Sequence, residues 1–344
     1  MPDWPRSGGP GEGRTSCSSI WGWALLLAAI PFLWFTVSGA KAQPWLRSRG
    51  FAGLAVVFAP ISTPFAPNED VDHQALRFNL ERYAKSGIRG YLALGSNGEN
   101  RSLAEDEKLS VLDDVVRCKG PGQVVLAGAA YDGEREAEHF LDSVSDLGAD
   151  FGLVLPPGYF RAQMTDEVLY RYFSSLADRA RIPLLLYNAP KFCGITLSPD
   201  LVRRLAAHPN IVGLKDSASS GIEAFLAFQS PRFQVLAGSA TFLFRAMLGG
   251  SPGGTVSLAN SFPQLALQLF RYGQARDQVN GVALQDRVNR INAAIDGGRG
   301  VSGVKAAMTL AGLRGGIPRR PLLPLEPAQV EVLRAALAAE GLLA

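Results

Sequence analysis

Pro209-Asn210-Ile211-Val212-Gly213-Leu214-Lys215-Asp216-Ser217 sets a lysine directly behind a short apolar run. Ile211, Val212 and Leu214 read as a strand buried on both faces, as in a parallel sheet covered by helices. A lysine at the end of such a strand has its stem among apolar neighbours, where the charged ammonium is disfavoured. A neutral amine is what attacks a carbonyl carbon to form a Schiff base. Of the seven lysines in the chain, Lys215 alone leaves an apolar strand in this way. The plainer reading is a lysine that exits a sheet edge into water, so the rest of the chain has to decide between the two.

Outward from this strand, short apolar runs alternate with amphipathic ones. Runs at 53–59, 90–94, 124–127, 151–155 and 183–187 precede it, and runs at 233–236 and 254–257 follow. Helical patterns fill the gaps at 71–86, 102–118, 134–147, 165–180, 198–207, 221–228 and 240–248. The second of these opens on Ser102 and Glu105, the spacing of a capping box. Eight alternating units predict an α/β fold, a closed (β/α)8 TIM barrel over residues 46–260. An open doubly wound sheet is the alternative. Residues 261–344 show no further strand pattern and read as a C-terminal helical appendage.

Residues 1–45 stand apart from this pattern. Residues 1–19 are rich in Gly, Ser and Pro, and 20–37 are almost continuously apolar, long enough to span a bilayer. Ala40-Lys41-Ala42 has the small-x-small form of a signal-peptidase site. A signal, a membrane anchor and a mis-assigned start are the three readings. Lys41, Arg47 and Arg49 favour a cytoplasmic catalytic body if the segment remains as an anchor.

Composition narrows the function. The net charge is +3 and the arginines are dispersed, which gives nucleic acid no basic patch to bind. The three cysteines and three histidines have neither disulfide-framework nor metal-ligand spacing, so a mechanism without metal or cofactor is expected. Gly298-Arg299-Gly300-Val301-Ser302-Gly303 fits the dinucleotide fingerprint, but 288–295 before it reads as helix rather than strand, the wrong context.

In a (β/α)8 barrel the residues just past each strand form the site. Gly95-Ser96-Asn97-Gly98-Glu99 follows strand two, and its glycines are expected to turn backbone N–H groups toward a carboxylate or phosphate. Pro156-Pro157-Gly158-Tyr159-Phe160-Arg161 follows strand four. Tyr187-Asn188-Ala189-Pro190 follows strand five, and a tyrosine there is either packing or a general acid/base. Gly238-Ser239-Ala240 follows strand seven. One lysine, two tyrosines and several small donors describe a pocket for a small anionic carbonyl compound.

These motifs together resemble the dihydrodipicolinate synthase / N-acetylneuraminate lyase superfamily of Schiff-base aldolases and lyases. The resemblance runs from about residue 53 to residue 343. It implies Lys215 as the imine-forming lysine, Tyr187 as its acid/base, and Ser96 and Asn97 as ligands of the 2-oxo acid carboxylate, with Ser96 also relaying protons. It implies that Tyr159 reaches into a neighbour's site in a homotetramer. Ser217 and Ser239 follow strands six and seven, so their hydroxyls are expected to face the distal end of the substrate, and Gly238 is expected to be a further substrate-binding residue. Ser96-Asn97, Gln234 to Ala240, Leu258-Ala259-Asn260 and Gly315-Gly316 look most like 4-hydroxy-2-oxoglutarate aldolase. The synthases carry an arginine two residues after the proline of the tyrosine motif, where this chain has Phe192. The expectation is therefore a class I aldolase that cleaves a 4-hydroxy-2-oxo acid to pyruvate and an aldehyde. A synthase, a 2-keto-3-deoxy sugar-acid aldolase or dehydratase, and a non-catalytic oxo-acid-binding protein are the alternatives.

Overall fold

The computed structural model describes residues 53–218 and 221–343, so the apolar run 20–37 and Ala40-Lys41-Ala42 lie outside the described residues. Among the described residues no helix is long and apolar enough to cross a membrane.

Eight parallel strands close on themselves in sequence order. They are β1 (Val57–Pro60), β2 (Gly90–Ala93), β3 (Val124–Ala129), β4 (Phe151–Val154), β5 (Leu184–Asn188), β6 (Ile211–Asp216), β7 (Gln234–Ala237) and β8 (Gly254–Thr255). Closure removes every sheet edge, and the helices cover the outer face. The continuous apolar runs follow from this, because every residue of β2, β5 and β6 is buried. The open doubly wound sheet is thereby excluded.

The helices behind the strands are α1 (His73–Ser86), α2 (Glu105–Arg117), α3 (Glu134–Leu147), α4 (Asp166–Arg179), α5 (Pro199–Leu205), α6 (Ile222–Leu226), α7 (Leu243–Leu248) and α8 (Pro263–Ala275). One-turn helices at Pro190–Cys193 and Leu258–Ser261 precede α5 and α8. Three more helices follow: α9 (Gln278–Ile295), α10 (Gly300–Leu310) and α11 (Pro327–Ala339). In α1 the Asp72 carboxylate accepts from the Ala75 N–H at 2.8 Å, and Gly87 at φ 92° ends the helix.

Two sequence expectations need correcting. Helix α2 does not open on Ser102 and Glu105. Residues Asn100–Ser102 form a tight 3-10 turn, and the helix starts at Glu105, with Glu107 accepting from the Ala104 N–H at 2.8 Å. Strand β1 also starts later than the apolar run 53–59 and takes in Pro60, because residues 53–56 form a tight turn and bend ahead of it. Asn260 completes this seam. Its amide donates to the Pro60 carbonyl at 2.8 Å, and its own carbonyl accepts from the Tyr83 hydroxyl at 2.8 Å.

Candidate active site

Lys215 and Tyr187 are register neighbours on β6 and β5. Adjacent residues in a parallel ladder point to the same face of a sheet. Lys215 Nζ accordingly lies 4.1 Å from the centre of the Tyr187 ring, and both side chains are buried. Burial alone would raise the Tyr187 phenol. The Lys215 charge, together with hydrogen bonding from Ser96, Ser217 and Lys215, holds it below the usual tyrosine value. The lysine amine and the phenol thus share one buried face of the barrel within contact distance of each other.

The next register pair outward, Asn188 and Asp216, holds the strand ends together. Asn188 Nδ2 donates to Asp216 Oδ1 at 2.7 Å, while Asn188 Oδ1 accepts from the Leu197 N–H at 3.0 Å. Burial raises Asp216 to about 6, against hydrogen bonds from Ala218 and Asn188 that pull the other way. Among the described residues, its second oxygen is buried without a partner. Strand β7 presses close to this end. A Cβ on Gly238 would sit 2.0 Å from Ser217 Oγ and 2.4 Å from the Asp216 carbonyl oxygen, so only glycine fits there.

The turn after β2 takes its left-handed backbone at residues other than its glycines. The left-handed residues are Leu94 (φ 58°) and Glu99 (φ 53°), which bracket Gly95–Gly98, and the glycines serve close approach instead. A Cβ on Gly95 would meet the Leu92 side chain at 3.0 Å, and one on Gly98 the Ile61 carbonyl oxygen at 3.0 Å. A left-handed non-glycine residue costs roughly 1–3 kcal/mol, and such strain persists where surrounding contacts over-determine it. Here Asn100 Nδ2 donates to the carbonyls of Leu94 and Gly128 at 2.9 and 3.0 Å, and Thr63 Oγ1 donates to the Gly98 carbonyl at 2.8 Å.

Glu99 is fixed more firmly still. Its Oε1 lies 2.5 Å from Lys305 Nζ, both side chains being almost wholly enclosed, and its Oε2 accepts from the Arg319 N–H at 2.8 Å. Lys305 Nζ also donates to the Ile317 carbonyl at 2.6 Å and lies 4.4 Å from the centre of the Phe65 ring. Burial drives the Lys305 ammonium down to about 8, although Glu99 opposes the shift. Arg319 in turn grips both oxygens of Glu107 at the start of α2, at 2.6 and 2.7 Å.

These elements enclose a cavity of about 610 Å³ at the carboxyl ends of the strands. Ser96, Asn97, Tyr187, Lys215, Ser217, Gly238 and Ser239 all line it. The Asn97 amide donates to Ser257 Oγ at 2.8 Å, across to the chain just past β8. Ser239 Oγ lies 2.9 Å from Thr241 Oγ1 and accepts from the Thr241 N–H at 3.2 Å. Tyr159 is the exception. It is 79% exposed, stacks edge-on with Phe160 at 4.9 Å, and does not line the cavity of its own chain. Among the described residues no group of three His, Cys, Asp or Glu is placed to hold a metal ion.

Sequence reasoning overlooked Thr255, Ser257, Asn292, Asp296 and Arg299, which also line the cavity. Thr255 and Ser257 alternate along the eighth apolar run, so strand periodicity could have found them. The other three come from α9 (Asn292) and from the turn between α9 and α10 (Asp296 and Arg299), where no strand-end rule applies.

Residues 53–340 match the family model described as the dihydrodipicolinate synthetase family. The chain is 30% identical to an L-threo-3-deoxy-hexylosonate aldolase of Aspergillus niger, over 80% of this chain and 92% of that protein. It is also 30% identical to a protein of Emericella nidulans named probable mitochondrial 4-hydroxy-2-oxoglutarate aldolase, over 81% of this chain and 93% of that one. A crystal structure of chloride-inhibited dihydrodipicolinate synthase from Acinetobacter baumannii complexed with pyruvate superposes with a TM-score of 0.79 at 28% identity. That superposition covers 84% of this chain and 100% of the other.

Proposed function

Because this chain belongs to the dihydrodipicolinate synthetase family and is a lyase akin to named aldolases, we propose that it cleaves a 4-hydroxy-2-oxo acid to pyruvate and an aldehyde. The substrate is 4-hydroxy-2-oxoglutarate and the aldehyde glyoxylate. The observation that carries this reading is the Lys215–Tyr187 pair, buried at the floor of a cavity whose other walls offer small donors.

The Lys215 amine adds to the C2 carbonyl, and loss of water leaves a protonated imine. The Tyr187 phenolate takes the proton of the C4 hydroxyl as the C3–C4 bond breaks. The aldehyde departs, and the bonding pair moves through C2 to the imine nitrogen as an enamine. Protonation at C3 gives the pyruvate imine, and water releases pyruvate and the free amine. Ser96, which lines the cavity with Tyr187 and helps to lower its phenol, relays the proton and, with Asn97, meets the substrate's C1 carboxylate. Tyr159, unpartnered by its own cavity, serves the site of a neighbouring subunit in a homotetramer.

Phe192 favours this reading over a synthase. It stands where the synthase pattern has arginine, and it is half exposed at the cavity rim. The kinship with an L-threo-3-deoxy-hexylosonate aldolase supports a second reading, a sugar-acid substrate cleaved by the same steps. Pyruvate with borohydride should leave a reduced adduct on Lys215, located by peptide mass, and Lys215→Arg should abolish turnover, since a guanidinium forms no imine. An adduct confined to another lysine would sink the mechanism.

A further inference from the structure

The glycine-rich stretch that mimics a nucleotide fingerprint joins α9 to α10 at the rim of the cavity. Two arginines line that cavity, Arg101 and Arg299. Arg101 is engaged by Asp132 at 3.3 Å. Arg299 donates one hydrogen bond, from Nη1 to the Ala294 carbonyl at 3.0 Å, and among the described residues no carboxylate pairs with it. The other rim cation, Lys191, has Asp296 at 4.0 Å to offset it. Gly298 (φ 82°) and Gly300 (φ 54°) flank Arg299 in left-handed backbone, a conformation glycine adopts freely. The turn and the Ala294 bond together hold one edge of the guanidinium. Among the described residues, its remaining N–H groups have no protein acceptor.

We infer that Arg299 is the specificity-determining residue for the distal carboxylate of the substrate, C5 of 4-hydroxy-2-oxoglutarate. The inference rests on the cleavage reaction proposed above. A planar guanidinium already anchored at one edge loses little freedom when it receives a carboxylate at the other, and such charge-assisted contacts are the stronger kind. The guanidinium absent at Phe192 is thus supplied from the C-terminal helices. A substrate with an uncharged tail gains no equivalent contact.

The test compares cleavage of 4-hydroxy-2-oxoglutarate with that of 4-hydroxy-2-oxopentanoate, which carries a methyl group in place of the distal carboxylate. Arg299→Gln keeps a donor for the Ala294 carbonyl and removes the charge. The ratio of kcat/KM, dicarboxylate over methyl-tailed, should then fall about 10- to 100-fold, the range for a hydrogen bond to a charged group. The loss should sit in KM for the dicarboxylate, since the contact is equal in ground and transition states. Arg299→Lys, which keeps the charge without the fork, should lose less, and it supplies the ratio if the glutamine variant does not fold. An unchanged ratio with both substrates still cleaved overturns the role of Arg299 alone. Failure of the unaltered chain to cleave either substrate overturns the reaction, and this inference with it.

Discussion

Lys215 Nζ sits 4.1 Å from the centre of the Tyr187 ring, one strand away and on the same face. The charge that depresses the phenol therefore belongs to Lys215, the amine that Tyr187 would serve in the proposed reaction. Tyr187→Phe keeps the ring and removes the proton acceptor. Turnover should fall on the order of 10²- to 10⁴-fold with the fold intact. In the unaltered protein the ascending limb of kcat/KM against pH should lie below about 10, the ordinary tyrosine value, and the variant should lack it. Full activity in the phenylalanine variant would reduce Tyr187 to packing.

Asp216 gives a stability signature of opposite sense to most carboxylates. Its folded value, about 6, is above that of an unfolded aspartate, near 3.9. Its favourable contribution is complete below about pH 3.9 and disappears as pH rises through 6. Asp216→Asn removes the titration. The difference in unfolding free energy, variant minus parent, should therefore become more positive by roughly 1–3 kcal/mol between pH 4 and pH 7.5. Denaturant melts at the two values measure it, and a flat or inverted difference would show that Asp216 is not shifted upward.

The enclosed Lys305–Glu99 pair should respond asymmetrically to single and double substitution. Lys305→Met strands a buried carboxylate and should cost about 3–5 kcal/mol, whereas adding Glu99→Gln should recover much of that. A double-mutant cycle of urea melts reads the coupling. Because Glu99 ends the Ser96–Gly98 turn, the single variant should also raise KM for pyruvate in the condensation direction. Additive costs with an unmoved KM would mean the two residues are independent.

Phe192 makes a negative prediction. Without a guanidinium at that place, pyruvate and aspartate semialdehyde should give no useful condensation, as monitored by loss of both reactants. Efficient condensation would reinstate the synthase and assign the missing charge to Lys191 or Arg299.

Much of this architecture was legible in the chain because strands covered on both faces leave continuous apolar runs, and those runs carry the site at their ends. Lys215, Tyr187, Ser96 and Ser217 could all be placed this way. What escaped has no local signature. Glu99 and Lys305 meet only after the barrel closes, and a left-handed Leu94 or Glu99 is the opposite of what a glycine-flanked turn suggests. Arg299 lay inside a motif whose spacing pointed to another ligand, and its place on the cavity wall appeared only once α9 and α10 were in position.

The cavity is thus made by two parts of the chain with separate duties. Under the reaction and the Arg299 role proposed above, the barrel strands would provide the bond-making groups and the α9–α10 turn the group that reads the far end of the substrate. Exchanging residues 288–304 for the corresponding stretch of a relative is therefore a route to new substrate preference that leaves Lys215 and Tyr187 untouched. The limit of such a graft is set by its next residue. Lys305 props the turn after β2 through Glu99, so the module can be recombined only up to that lysine.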